Sequence, residues 1–413
     1  MRVCLYSFVL FLYRGLIRFA ALFQTKAALM NEGQNQVWAG LEQHFKTNEK
    51  PVAWFHTASM GEFEQGRPII ESYKKENPTH FILVTFFSPS GYEVRKNYAG
   101  ADYVSYLPLD GYFNSARFLD LVKPSLAVFV KYEFWHYYLT GLKKRGVPTI
   151  LVSAIFRPNQ VFFRWYGGFY RRLLDCFTHL FVQDQSSADL LQRSNVTVAG
   201  DTRFDRVLDT LRHPVSWDLL TTFLDNTEFM VVGSAWQADM DVLIPLINSK
   251  KYPFKWVIAP HEINPEELKS WEEKIELPVA YSQGPACEKA DVLFVNEVGR
   301  LANLYRGASF AYIGGAFGDG LHNTLEAAVF GPTVFFGNKN YLKFREARDL
   351  IELGLAFPIA TTEELDQAMR VIYDVDDVFV NKQVQSRAFV QLQAGATGII
   401  SEFVRNLAID GRK

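Results

Sequence analysis

The chain is poor in cysteine, with Cys4, Cys176 and Cys287 the only three in 413 residues. Their number and scatter exclude a disulfide framework and a zinc cluster, and they suggest a reducing compartment. The chain also lacks an excess of one charge. Lys and Arg total 43 against 45 Asp and Glu, a net charge of −2. No global basic field is there to hold nucleic acid. A Walker loop, a GxSxG elbow, an HExxH pair and a CxxC pair are all missing, which removes the common signatures of P-loop, serine-hydrolase, zinc-protease and dithiol chemistry. Acidic clusters that would hold a metal are missing too. What is abundant is apolar. Hydrophobic residues make 48% and charged residues 21%, which excludes wholesale disorder. The length implies two or three domains. Phe, Tyr and Trp together make 15%, an excess that needs a location.

Part of that excess lies at the amino terminus. Residues 3–23 are apolar except for Ser7, Arg14, Gly15 and Arg18. A spanning helix needs about 20 apolar residues, and two central arginines make a full span costly. No small-residue cleavage site follows. Up to Lys26 the chain holds Arg2, Arg14 and Arg18 and no acid. The segment reads as an anchor that inserts partly into an anionic leaflet. A helix docked on the protein's own core is the competing reading. Residues 156–170 mix Phe156, Phe162, Phe163, Trp165, Tyr166, Phe169 and Tyr170 with Arg157 and Arg164, and fit either a headgroup-level surface or a core helix.

Beyond residue 50, apolar strand-like runs alternate with helical patterns. The runs are 52–58, 80–88, 126–131, 148–154, 179–184 and 196–200. Residues 201–227 contain no strong run. Alternation resumes at 228–236, 254–260, 279–282, 291–297, 310–316 and 333–337, and a helical stretch over about 380–408 closes the chain. This pattern predicts an α/β fold of two Rossmann-like, doubly wound parallel sheets facing a cleft. The expected divisions are 1–27 for the apolar helix, 28–207 for the first domain and 208–413 for the second with its terminal helix. Ligands on such sheets bind at the carboxyl ends of the strands.

Five constellations fall at those ends. Ser59-Met60-Gly61-Glu62 follows the first run. Glu62 is placed as a general base, or as the partner of Ser59 in a capping box. Glu133, in Lys131-Tyr132-Glu133-Phe134-Trp135, is a site carboxylate or a solvated helix-start acid. His261 follows Pro260 at the end of 254–260 and reads as a phosphate donor, a base-stacking ring or a structural histidine. Val298-Gly299-Arg300 precedes a helix, with Arg300 a candidate phosphate partner or part of an ordinary turn. The last is the run 310–331. Gly314, Gly315, Gly318 and Gly320 lead into Asn323, Thr324, Leu325 and Glu326. Glycines admit a close ligand, a helix start offers amides to phosphate, and Glu326 suits ribose hydroxyls. Asn323 as a plain helix cap is the simpler reading.

Taken in order, HTASMGEFEQGRP, KYEFW, GDTRFD, IAPHE, VGRLANLY and IGGAFGDGLHNTLEAA resemble the 3-deoxy-D-manno-octulosonic acid (Kdo) transferase family, lipid A glycosyltransferases. The resemblance runs from the apolar helix past residue 345. It implies a GT-B fold, with an acceptor-binding first domain and a second domain that binds CMP-Kdo. It implies inverting transfer of Kdo to a lipid A precursor of the lipid IVA type, in lipopolysaccharide biosynthesis, on the cytoplasmic side of the bacterial inner membrane. Glu62 becomes the catalytic base. CMP contacts fall on Pro260, His261, Val298, Gly299, Arg300, Asn323, Thr324, Leu325 and Glu326. Glu133 is structural or acceptor-facing. The implied partners are CMP-Kdo, the lipid acceptor and membrane lipids, with no nucleic acid, metal or cofactor. The chain departs from the family where His261-Glu262 stands for Arg-His and Arg300 for Glu. The loop before His322 is about one residue short, and Leu321 stands where glycine is common. A UDP-sugar transferase or epimerase of the same fold is the alternative, as is an inactive membrane-bound scaffold.

Overall fold

The computed structural model describes residues 2–284, 289–318, 320–373 and 376–410, so Cys287 lies outside the described residues. Two helices come first, α1 (Arg2–Ala20) and α2 (Thr25–Phe45). A first set of strands follows: β1 (Val52–Thr57), β2 (Phe81–Phe86), β3 (Tyr103–Tyr106), β4 (Pro124–Val130), β5 (Thr149–Ala154), β6 (His179–Val182) and β7 (Val196–Val198). α3 (Met60–Glu76) links β1 to β2. The second set is β8 (Phe229–Ala235), β9 (Lys255–Pro260), β10 (Val279–Tyr281), β11 (Val292–Phe294), β12 (Phe310–Ile313), β13 (Thr333–Gly337) and β14 (Ala356–Ile359).

Each set makes one seven-stranded sheet, ordered β3-β2-β1-β4-β5-β6-β7 and β10-β11-β9-β8-β12-β13-β14. Every strand pairing is parallel. A parallel sheet needs helical cover on both faces, which explains the unbroken apolar runs. In the first sheet, side chains alternate between two cores. Trp54, Leu83, Ala127, Phe129 and Leu151 join one cluster. Ala53, Phe55, Ile82, Val84, Val128 and Ile150 join the other. Met230, Val232, Trp256, Ile258, Phe310, Tyr312 and Phe335 build a core of the second sheet.

The strands read from the sequence are present, with ends shifted by a few residues. The reading passed over β3 and β14. Both are edge strands of four residues, too short for a strong apolar run; Ser105 interrupts β3 and Pro358 interrupts β14. The break at 201–227 is helical, with helices Thr202–Arg212 and Asp218–Leu224.

The chain forms two compact units, Met1–Arg206 with Ala394–Lys413, and Val207–Gln393. This corrects the expected place of the terminal helix. The stretch near 380–408 is two helices, Asp376–Gln393 and Ala396–Asp410, parted at Gly395, whose φ is +121°. The second helix packs on the first unit. Ile400 and Val404 join the cluster of Phe55, Ile70 and Tyr73. Ser401 Oγ meets Ser72 Oγ at 2.9 Å, and Arg405 bonds Glu76 at 3.0 Å. Asp205 of the GDTRFD segment accepts from the amides of Gly395 (2.7 Å) and Thr397 (2.8 Å). A carboxylate at a helix start is the favourable sign for the dipole.

Candidate active site

In the first sheet the strand order reverses between β1 and β4. Connections leave that point in opposite directions and open a crevice at the strand ends. Glu62 follows β1 there, and Glu133 follows β4. Glu62 lies in the first turn of α3, with Ser59 at the N-cap. The capping box is not formed as expected, because the Ser59 hydroxyl makes no cap bond. Glu62 Oε2 instead accepts the Ala58 amide at 2.5 Å, tying the carboxylate to the end of the strand. Burial, then the negative Glu133, push the Glu62 carboxyl up to about 7, against the opposing pull of the Ala58 amide and the Lys131 ammonium. A carboxyl poised there exchanges protons near neutral pH.

Glu133 is not a solvated helix-start acid. It is 9% exposed and lies before the helix His136–Lys144. Its Oε2 meets His56 Nε2 at 3.0 Å and accepts from Trp135 Nε1 at 2.6 Å. His56 is fully buried, and its Nδ1 lies 2.9 Å from Thr85 Oγ1. Trp54 Nε1 donates to that same hydroxyl oxygen at 2.8 Å. His56 thus bridges two sides of the cluster, with Nδ1 also 3.1 Å from the Thr85 carbonyl oxygen and Nε2 also 3.2 Å from Trp135 Nε1. Lys131 holds a left-handed φ of +61°, a strained setting for a non-glycine residue beside a reactive group.

In the second sheet the order reverses between β8 and β12. Trp236 follows β8, His261 follows β9 and the glycine-rich loop follows β12. The His261 ring stacks on Trp236 at 4.3 Å and on His322 at 4.5 Å. Trp236 Nε1 donates to His322 Nε2 at 3.2 Å. Burial, with His261 beside it, drives His322 down to about 4, so this ring is neutral at pH 7. Burial lowers His261 as well, with Glu262 pulling the other way. Buried Asp239 ties the loop to this corner, accepting from the Gly315 amide at 3.0 Å, the Trp236 amide at 3.1 Å and the Tyr312 hydroxyl at 3.1 Å. Gly314 is needed here, since a Cβ would stand 2.1 Å from the Ser234 carbonyl oxygen. Gly315 has a φ of +93°.

The family model described as 3-Deoxy-D-manno-octulosonic-acid transferase (kdotransferase) matches residues 36–206. The 3-deoxy-D-manno-octulosonic acid transferase of Chlamydophila psittaci is 27% identical over 74% of this chain and 73% of its own length. That of Aquifex aeolicus is 28% identical over 77% and 85%. That of Rickettsia typhi is 24% identical over 82% and 75%.

The chain is similar to Kdo transferases over about three quarters of its length.

It is therefore a glycosyltransferase. Solved structures add the fold. The UDP-GlcNAc 2-epimerase of Neisseria meningitidis superposes with a TM-score of 0.60 at 15% identity, over 87% of this chain and all of its own. MurG of Acinetobacter baumannii gives 0.54 at 12%, over 86% and 99%. The architecture is GT-B.

The residues that the family resemblance points to have distinct settings in the structure. Val298 is 89% exposed, and Gly299, with φ +90°, has open space where a Cβ would stand. Arg300 pairs with Glu297 at 3.0 Å and lies over the Trp217 ring at 5.1 Å. Asn323 Oδ1 accepts the Leu325 amide at 3.2 Å, and its Nδ2 donates to Glu326 Oε1 at 3.0 Å. Thr324 and Leu325 are fully buried, and the Thr324 hydroxyl has no partner among the described residues. The helix Leu325–Ala328 is a single turn, shorter than the sequence suggests. Pro260 is the last residue of β9.

Sequence reasoning missed His56, Trp236 and Asp239. His56 lies inside β1, where no local spacing marks it out. Asp239 stands three residues after Trp236 at the start of a helix, a spacing that does signal a carboxylate reaching back. Lys343 was missed too; its ammonium lies 2.7 Å from where a Cβ of Gly320 would stand, a cation at the loop. Among the described residues no three His, Cys, Asp or Glu gather to hold a metal ion.

Proposed function

We propose that the chain transfers Kdo from CMP-Kdo to a hydroxyl of a lipid A precursor, with inversion, at the cytoplasmic face of the bacterial inner membrane. The observation that carries this reading is Glu62, a carboxylate at the switch point of the first sheet with its carboxyl raised to about 7. In the proposed step the acceptor oxygen attacks Kdo C2 as Glu62 takes its proton. The bond from C2 to the phosphate oxygen breaks, and CMP leaves with the electron pair. The transition state is oxocarbenium-like. The leaving phosphate needs donors, which the second unit would supply from Asn323, the His261 corner and Lys343. CMP-Kdo is a substrate, and this reading invokes no cofactor.

A lipid acceptor is supported by the surroundings of Glu62. The Tyr13 ring of α1 stacks on Phe87 at 6.2 Å. Phe87 packs on Trp135 at 4.8 Å, and Trp135 bonds Glu133. A few side chains thus join α1 to Glu133, whose charge acts on Glu62. That helix exposes Leu5, Phe8, Phe11, Leu12, Leu16 and Phe19 and buries none of its residues. It is long and apolar enough to cross a membrane by length and composition. Its other face docks on the unit, with Tyr6 donating to Asp110 at 2.7 Å and Ser7 2.7 Å from the Tyr137 hydroxyl. One apolar face with the other docked favours a helix lying in the interface. Trp165, 89% exposed, and Phe113, 83% exposed, extend the aromatic surface. In the same segment Phe156, Phe162 and Phe169 are core, so the two readings of 156–170 divide residue by residue.

The test is a transfer assay with CMP-Kdo and a tetra-acylated lipid A precursor. Glu62→Gln keeps the fold and CMP affinity but lowers transfer by about 10²–10⁴-fold. Near-normal transfer by this variant would remove Glu62 as the base. No transfer by the unaltered protein would favour the scaffold reading.

A further inference from the structure

Between α1 and α2 lies a recess of about 220 Å³ that plays no part in the reaction described above. Arg14 and Arg18 of α1 line one wall, Asn31 and Asn35 of α2 the other, and Met30 and Leu109 are buried apolar residues among its lining. No carboxylate lines it. Among the described residues neither arginine has an ion-pair partner. They stand one helical turn apart on the same side of α1, where like charges repel. At 100° per residue, Arg14 and Arg18 flank Ser7 at the edge of the docked face, next to the exposed apolar face that begins at Phe11. A helix lying flat in a membrane interface holds such a border at headgroup depth.

We propose that this recess binds the phosphate headgroup of a membrane glycerophospholipid. Arg14 and Arg18 grip the phosphate oxygens, the two asparagine amides donate from the opposite wall, and the apolar lining takes the glycerol end of the lipid. This rests on the reading of α1 as an interfacial helix. It adds to that reading a defined site with a preference for phosphate over negative charge alone.

The experiment sediments the full chain with phosphatidylcholine vesicles doped with phosphatidic acid. A parallel set is doped to the same surface charge with oleate. The chain should prefer the phosphatidic acid vesicles by about tenfold. Arg14→Gln with Arg18→Gln should weaken that binding about twenty-fivefold and abolish the preference. Asn31→Leu with Asn35→Leu keeps every charge and should reduce the preference by itself, about fivefold. Arg164→Gln with Arg172→Gln removes the same charge elsewhere and should weaken both vesicle sets alike. Circular dichroism checks that each variant folds. Equal binding of the unaltered chain to both vesicle sets overturns the site and leaves the interfacial helix standing. Binding to neither overturns both. If Arg14→Gln with Arg18→Gln raises KM for the lipid acceptor in phospholipid-free micelles, the phosphate belongs to the acceptor and the proposal falls.

Discussion

At the residue scale, the proposed chemistry rests on how one carboxylate is held. Glu62 is raised by burial first and by Glu133 second. The sign follows for both rate and stability. A base must be ionised, so transfer should rise with pH through about 7. The unfolded chain ionises Glu62 earlier, near its ordinary 4.5, so folding stability falls as pH climbs from there toward 7. Glu133→Gln removes the second cause while its amide can still bond with His56 and Trp135. The acid limb of the pH–rate profile should then move to lower pH. An unmoved limb, with Glu62 still required, would mean that burial alone sets the poise.

At the scale of elements, the terminal helix shows how sequence position misleads about membership. Its run of apolar residues was legible, but the sheet it covers was not. Ile400 is fully buried in the core against Phe55 and Ile70. Ile400→Ala should cost about 2–5 kcal/mol. Hydrogen exchange should show protection lost in β1, not in β13, although residue 400 follows β13 in the chain. Loss confined to β13 would contradict the packing. The glycine-rich loop teaches a related lesson. Its glycines signalled close approach, and closeness is what they provide, but Gly314 approaches the Ser234 carbonyl and Asp239. One-dimensional spacing reports that space is tight without saying what fills it.

At the scale of the whole molecule, the donor nucleotide separates the main reading from a UDP-sugar enzyme of the same fold. CMP at a hundredfold excess over its Kd should stabilise the chain by about 2.7 kcal/mol and raise Tm, and UDP at the same concentration should not. The reverse result would favour the alternative. The likeness to the epimerase and MurG structures does not bear on this choice, because at 15% and 12% identity it shows shared architecture alone.

The sequence by itself determined the two α/β units, nearly all their strands, the apolar α1 and the position of Glu62. Those are written in short-range terms, as buried runs, helical periods and a carboxylate at a strand end. Only the tertiary structure decided that Glu133 is buried against His56 and Trp135, that Arg300 is paired with Glu297, that Trp236, His261 and His322 stack, and that the last helix returns to the first sheet. Each depends on contacts between residues far apart in the chain, where spacing carries no distance and burial sets the charge. The aromatic excess divides along the same line. Its apolar character could be read directly, but only packing separated core Phe156, Phe162 and Phe169 from exposed Trp165 and the open face of α1.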